Sequence, residues 1–201
     1  MAAPRTCAIA ALILAAITAC AGTKEPPEPP SPRPISRYPY TEADVRFMSA
    51  MIGHHTQALA MAALAPRSGA SPEILRLAER ITAGQQDEIA TMERWLRARG
   101  KPVPEAHHAM HDHPMPGMLT EAQMGELEQA RGPDFDRLFL TYMIQHHRGA
   151  VAMVKQLYGT PGAAQDDTVF KFADDVGVDQ TTEIARMERM LDALPHGEPA
   201  S

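Results

Sequence analysis

The chain has 201 residues and a formal net charge of −6, long enough for one domain with a real hydrophobic core. With 44% apolar residues it has the composition of a soluble globular protein. Its acidic balance gives no broad basic face, and Phe, Trp and Tyr together make only 5%, so nucleic acid is excluded as a partner.

The first twenty residues read as a targeting segment. Arg5 precedes the apolar run "CAIAALILAAITAC", which is too short for a permanent membrane span and has the layout of a secretory signal peptide. The run closes on "ITAC", Ile17 to Cys20, which resembles the lipobox of bacterial lipoproteins. Residues 1–20 are therefore expected to direct export, with Cys20 lipidated and holding the protein to the outer face of the cell membrane or in the periplasm. Ordinary signal-peptidase cleavage near Ala19 and Ala21 is the alternative. Residues 21–40 are so rich in proline that neither helix nor sheet can form, and they read as an extended tether. Cys7 leaves with the signal and Cys20 carries lipid, so the domain over 41–197 has no thiol, and any metal site there must use His, Met and carboxylates.

From Thr41 onward helix signals dominate. "TEAD" opens the first helix, with Thr41 as cap and Asp44 closing a capping box, and the helix runs to about Ala65 before "PRSG". The second begins at "SPE", with Ser71 as cap and Pro72 in the first turn, and stops at Gly100. A connection rich in His, Met and Pro follows, with a short helix from Thr120 to about Arg131. The third main helix starts at "GPDFD" and ends at Gly159, and the fourth runs from near Asp166 to Pro195. Gly84 and Gly177 fall inside the second and fourth helices, each at a cost of about 1 kcal/mol against Ala.

The two hairpins are copies. Asp44, Phe47, Met51, His54, His55, Ala58 and Met61 return 92 positions later as Asp136, Phe139, Met143, His146, His147, Ala150 and Met153. Gln85, Glu88, Ile89, Met92, Glu93 and Leu96 return as Gln180, Glu183, Ile184, Met187, Glu188 and Leu191. A duplicated hairpin that must bury an apolar stripe predicts an all-α fold, a four-helix bundle of up-down-up-down order. In that order the first and third main helices lie on a diagonal and point the same way, so Met51, His54, Met143 and His146 converge. Met61 stands roughly 10 Å further along the axis and belongs to another layer.

Helical spacing puts Phe47, Met51, His54, Ala58 and Met61 on one core-facing stripe, as it does Phe139, Met143, His146, Ala150 and Met153. His55 and His147 fall beside it, against apolar neighbours. Imidazole and thioether together are a ligand set for copper, since neutral imidazole suits Cu(II) and soft sulfur favours Cu(I). A core histidine can equally be a hydrogen-bonded packing residue and a core methionine mere filler. The recurrence of a buried His pair beside Met in both halves favours metal. The segment "HHAMHDHPMPGM" adds His107, His108, Met110, His111, His113, Met115 and Met118 within the loop 105–118, a density typical of a metal-gathering tract, although a solvated linker would read similarly.

Two rivals remain open. Glu88 and Glu183 with His54 and His146 suggest a dinuclear redox enzyme, but the Glu-x-x-His pattern of such helices occurs only at Glu105 and His108, in the loop. An envelope interaction module with purely structural histidines is the other.

"DVRFMSAMIGHHTQALAMAALA" and "FDRLFLTYMIQHHRGAVAMV", with "MPGMLTEAQMGEL" before the second copy and "EIATMERWL" closing the first hairpin, resemble the domain of unknown function 305 family over residues 41–194. The resemblance implies a ferritin-like four-helix bundle, commonly exported or lipid-anchored, with some members binding copper. Carried over by position, it implicates Met51, His54, His55, Met61, Met143, His146, His147 and Met153, and less directly Met92 and Met187. Gly53 and Gln145 depart from the proline that members often carry before the His pair. The expected function is that of a non-catalytic, copper-binding protein of copper homeostasis outside the cytoplasm. It would sequester the ion or deliver it to a copper-accepting protein.

Overall fold

The computed structural model describes residues 39–104 and 115–195, and among these all regular structure is helical. The helices are α1 (Glu42–Ala62), α2 (Pro72–Ala98), α3 (Glu121–Gln129), α4 (Gly132–Tyr158) and α5 (Asp167–Asp192), with a single 3-10 turn at Ala65–Arg67. Their starts follow the capping chemistry of the sequence. The Asp44 amide donates to Thr41 Oγ1 at 3.3 Å while the Thr41 amide donates to Asp44 Oδ2 at 2.7 Å, a reciprocal box. Thr120 forms a like box with Gln123 at the start of α3, and the Ser71 and Asp166 side chains cap α2 and α5 by accepting first-turn N–H groups. Both Gly84 and Gly177 lie within unbroken helices. None of the described helices is long and apolar enough to cross a membrane.

Helices α1 and α2 form one hairpin, α4 and α5 the other, and the hairpins meet along α1 and α4. The direction of that contact corrects the expected up-down-up-down order. One core cluster joins Phe47, Met48 and Met51 from the start of α1 to Met153, Val154 and Leu157 from the end of α4. The other joins Ala58 and Met61 from the end of α1 to Phe135, Phe139 and Met143 from the start of α4. Helices α1 and α4 are thus antiparallel, and the order is up-down-down-up. Residues 99–131, which include α3, are a connection long enough to return the chain to the end it left.

Two buried aspartates fix this arrangement reciprocally. The Ala164 amide, in the loop between α4 and α5, donates to Asp44 Oδ1 at 2.7 Å. The Ser71 amide, before α2, donates to Asp136 Oδ1 at 3.2 Å. Asp44 and Asp136 are equivalent in the duplication, so each hairpin begins with a carboxylate that satisfies a backbone N–H of the other. A buried carboxylate without such partners would cost several kcal/mol, so the docking of the hairpins is specified as well as driven by apolar burial.

Residues 115–119 cross the α1/α4 contact as a strap. Gln57 clamps it, donating through Nε2 to the Leu119 carbonyl at 3.0 Å and accepting from the Leu119 amide at 2.7 Å. Gly117, at φ +77°, lies against Gly149 of α4, where an added Cβ would stand 2.0 Å from the Pro116 oxygen. No side chain fits there without moving backbone. Gly149→Ala is expected to destabilise the protein by about 1–3 kcal/mol. Gly84→Ala, whose Cβ would meet nothing within 4 Å, is expected to stabilise it by up to about 1 kcal/mol. Urea unfolding of the two variants checks this, and equal midpoints would contradict the close approach of strap and helix.

Candidate functional site

Where α1 and α4 cross, the two copies of the His-His motif meet. His54, His55, His146 and His147 are all fully buried, at 0% exposure. The rings of His54 and His146 lie in contact, with centroids 3.8 Å apart and planes inclined by 37°. Each is flanked by its sequence neighbour, with ring centroids 6.4 Å apart for His54 and His55 and 6.3 Å for His146 and His147.

The outer nitrogens are held by acceptors. His54 Nε2–H donates to the Pro116 carbonyl at 3.0 Å, an approach that the absent side chain of Gly149 permits. His55 Nε2 bonds Glu88 Oε2 at 2.6 Å and His147 Nε2 bonds Glu183 Oε2 at 2.8 Å, the same pair generated twice by the duplication. Arg80 holds the other oxygen of Glu183 at 3.3 Å. An imidazole that gives its Nε2 proton to a carbonyl or carboxylate carries a bare lone pair on Nδ1. Among the described residues no hydrogen-bond partner reaches Nδ1 of His54, His55 or His147, and neither ring nitrogen of His146 makes a well-formed hydrogen bond, although the His54 backbone lies near enough to oppose its downward pKa shift. Each such buried, unsatisfied group costs about 1–3 kcal/mol. One ring nitrogen fixed by an acceptor and the other left free is the arrangement of a histidine prepared to bind a metal.

Electrostatics keep the central pair uncharged. Burial, reinforced by the nearby His55, depresses the His54 pKa to about 3 despite the Pro116 bond, which opposes the shift. Burial and then the neighbouring His54 drive His146 well below the ordinary imidazole value. Burial tends to raise the Glu183 pKa, but its hydrogen bond and charge interactions with His147 and Arg80 outweigh that and the net shift is downward. Glu183 is an anion at neutral pH, suited to orient His147.

The methionines divide differently from the expectation. Met51 does not join Met143 at one level: Met51, Met92 and Met153 share one cluster, and Met61, Met143 and Met187 share the other. Because α1 and α4 run antiparallel, the duplication places equivalent methionines of both halves in each core cluster, one cluster on each side of the His54–His146 contact. In the loop, Met115 packs on the first cluster and Met118 lies within the strap, whereas His107, His108, Met110, His111 and His113 lie outside the described residues, as does Cys20. No three His, Cys, Asp or Glu side chains among the described residues are grouped to hold an ion by themselves, so a metal site there would need thioether or backbone donors, or a shift of rings. Nothing local in the sequence marks the Pro116 carbonyl as a partner of His54, or Glu88 and Glu183 as partners of His55 and His147. The repeat of Glu88 as Glu183, in step with the His pairs, was the signal for the latter.

Neutral buried histidines make apo stability fall with acid. The unfolded chain binds protons below about pH 6.5, whereas folded His54 does so only near pH 3, so protons favour unfolding across that window. The stability contribution is complete above about pH 6.5 and declines by up to about 1.4 kcal/mol per pH unit for each such histidine as pH falls. Urea midpoints of the metal-free protein between pH 7.5 and 4 should show this slope, and His54→Leu should reduce it. An unchanged slope in that variant would contradict the neutral, buried state of His54.

The family described as domain of unknown function DUF305 matches residues 44–191. Among solved structures, a DUF305 fragment from Deinococcus radiodurans is 33% identical, with a TM-score of 0.67, covering 78% of this chain and 99% of that one. A DUF305 protein of Streptomyces coelicolor described as secreted is 28% identical, with a TM-score of 0.67, covering 79% of this chain and 98% of its own. CopM in its Cu(II)-bound form is 32% identical, with a TM-score of 0.62, covering 74% of this chain and 95% of that one. No curated protein sequence matches the chain significantly. Neither the described residues nor these relatives point to a catalysed reaction. With twin His-His motifs inside a match that spans most of its length, the chain belongs to the DUF305 family.

Proposed function

We propose that this protein is a copper carrier or store that works outside the cytoplasm, a ferritin-like four-helix bundle exported by residues 1–20 and anchored through a lipid on Cys20. The observation that carries the reading is the central imidazole pair: His54 and His146 in ring contact, with Nδ1 of His54 and the ring nitrogens of His146 lacking a well-formed hydrogen bond among the described residues, in a core that holds both rings neutral. Uncharged imidazole is the ligand form, and binding there needs no proton to be displaced from a cationic ring. Met51, Met92 and Met153 in one core cluster and Met61, Met143 and Met187 in the other offer soft donors suited to Cu(I), while imidazole serves Cu(II). Likeness to CopM, solved with Cu(I) and with Cu(II) bound, supports copper as the cargo. Likeness to the Streptomyces protein described as secreted supports export. In this reading the tract of His107, His108, Met110, His111, His113, Met115 and Met118 gathers the ion, and His54, His55, His146 and His147 retain it for a copper-accepting protein.

Titration of the full chain with Cu(II), and with Cu(I) under anaerobic conditions, tests this. A background in which His107, His108, His111 and His113 are Ala is expected to keep tight copper uptake, and adding His54→Ala with His146→Ala to remove it. Uptake that disappears with the loop histidines alone would contradict a site in the helical core. Glu88→Gln and Glu183→Gln leave the core ligands in place but weaken the acceptors that orient His55 and His147. Copper affinity measured by chelator competition should fall about 10–100-fold for the pair. An unchanged affinity would reduce those glutamates to structural partners.

A further inference from the structure

Helices α2 and α5 enclose a cleft of about 310 Å³ that meets the site described above only at Glu88 and Glu183. The duplication, here with an offset of 95, supplies its walls in equivalent sets: Gly84, Gln85 and Glu88 from α2 stand against Asp179, Gln180 and Glu183 from α5. Gln85 and Gln180 are only 3% and 2% exposed, yet both polar atoms of the Gln85 amide and the Gln180 oxygen have no hydrogen-bond partner among the described residues. Unpaired amide oxygens buried on the wall of a cleft are sites for a passing cation or its water. Arg80 offsets Glu183, while no Lys or Arg among the described residues pairs with Glu88 or Asp179, so the lining is negative. Burial first, and then the carboxylates of Glu88, Asp175 and Glu183, hold the Asp179 carboxyl above its ordinary pKa, as expected of an uncompensated anionic cluster. Glu88 and Glu183 line the cleft and are each 19% exposed, yet both bond a fully buried histidine.

We propose that this cleft is the route by which a hydrated metal cation reaches the buried histidines. The carboxylates of Glu88, Asp179 and Glu183 draw the ion in, and the amide oxygens of Gln85 and Gln180 replace water during its passage. The route ends at the Glu88–His55 and Glu183–His147 pairs. This rests on the copper reading and adds the path to it. Gly84 lies on the cleft lining with open space around it, since a Cβ at that position would meet nothing within 4 Å.

The test uses the full chain with His107, His108, His111 and His113 changed to Ala, so that only the core loads, mixed rapidly with aqueous Cu(II) and followed by its absorbance. Gly84→Phe adds a bulky side chain on the cleft lining, at a position where the Cβ itself meets nothing within 4 Å. It is expected to slow loading about tenfold or more, in the range by which a focused cleft speeds association, with equilibrium affinity unchanged. Gly125→Phe on α3, where a Cβ also meets nothing within 4 Å, is expected to load at the background rate. Asp179→Asn should slow loading several-fold at low salt, with the difference lost at high salt. A folded Gly84→Phe protein that loads at the background rate overturns the route. Should that variant fail to fold, an Asp179→Asn protein with an unchanged low-salt rate overturns it instead. If the background protein takes up no Cu(II) at all, the copper site in the core fails and the route fails with it.

Discussion

Two uncharged imidazole rings in contact at the centre of a helix crossing are the constraint around which the rest of the molecule is arranged. Such rings cannot be protonated without large desolvation cost, and among the described residues Nδ1 of His54 and the ring nitrogens of His146 make no well-formed hydrogen bond. Bringing them together requires that α1 and α4 cross at His54 and His146 and nowhere else. Asp44 and Asp136 fix the crossing by accepting backbone N–H groups from the opposite hairpin. Gly149 and Gly117 then allow the strap to come near enough for Pro116 to take the outer nitrogen of His54. The polar interactions that position the pair therefore come from both halves of the duplication, and neither hairpin would form the site alone.

Antiparallel crossing of duplicated helices has a chemical consequence. A parallel arrangement would have set equivalent methionines at one level with the histidines. The antiparallel one gives the histidines a middle level of their own and places thioethers of both halves on each side, Met51 and Met92 with Met153, and Met143 and Met187 with Met61. Nitrogen at the centre and sulfur on both flanks is a gradient of ligand softness along the crossing. In the proposed function, it lets one buried region accept copper in either oxidation state. Glu88 and Glu183 complete the design by fixing the outer nitrogens of His55 and His147, which leaves each Nδ1 free.

Local physics was legible in the sequence. Thr41 with Asp44, Ser71 with Pro72, and Thr120 announce helix starts through side chains that bond the first free N–H groups, and those starts are where the helices begin. The core-facing stripe of Phe47, Met51, His54, Ala58 and Met61 follows from helical spacing, and all five are buried. The relative direction of the hairpins was not legible, because it depends on how residues 99–131 return the chain, and nothing local marks that path. Asp44 shows the limit well: its capping role can be read three residues from Thr41, but its bond to Ala164, 120 residues away, cannot. The same holds for the Pro116 carbonyl, whose meeting with His54 depends on a missing side chain at Gly149.

The most direct test of a copper site in the core is X-ray absorption of the Cu(I)-loaded protein in which His107, His108, His111 and His113 are Ala. The proposed site predicts imidazole nitrogen together with thioether sulfur around copper, both lost when His54 and His146 are also replaced. A copper shell without sulfur, or one indifferent to those two histidines, would contradict it.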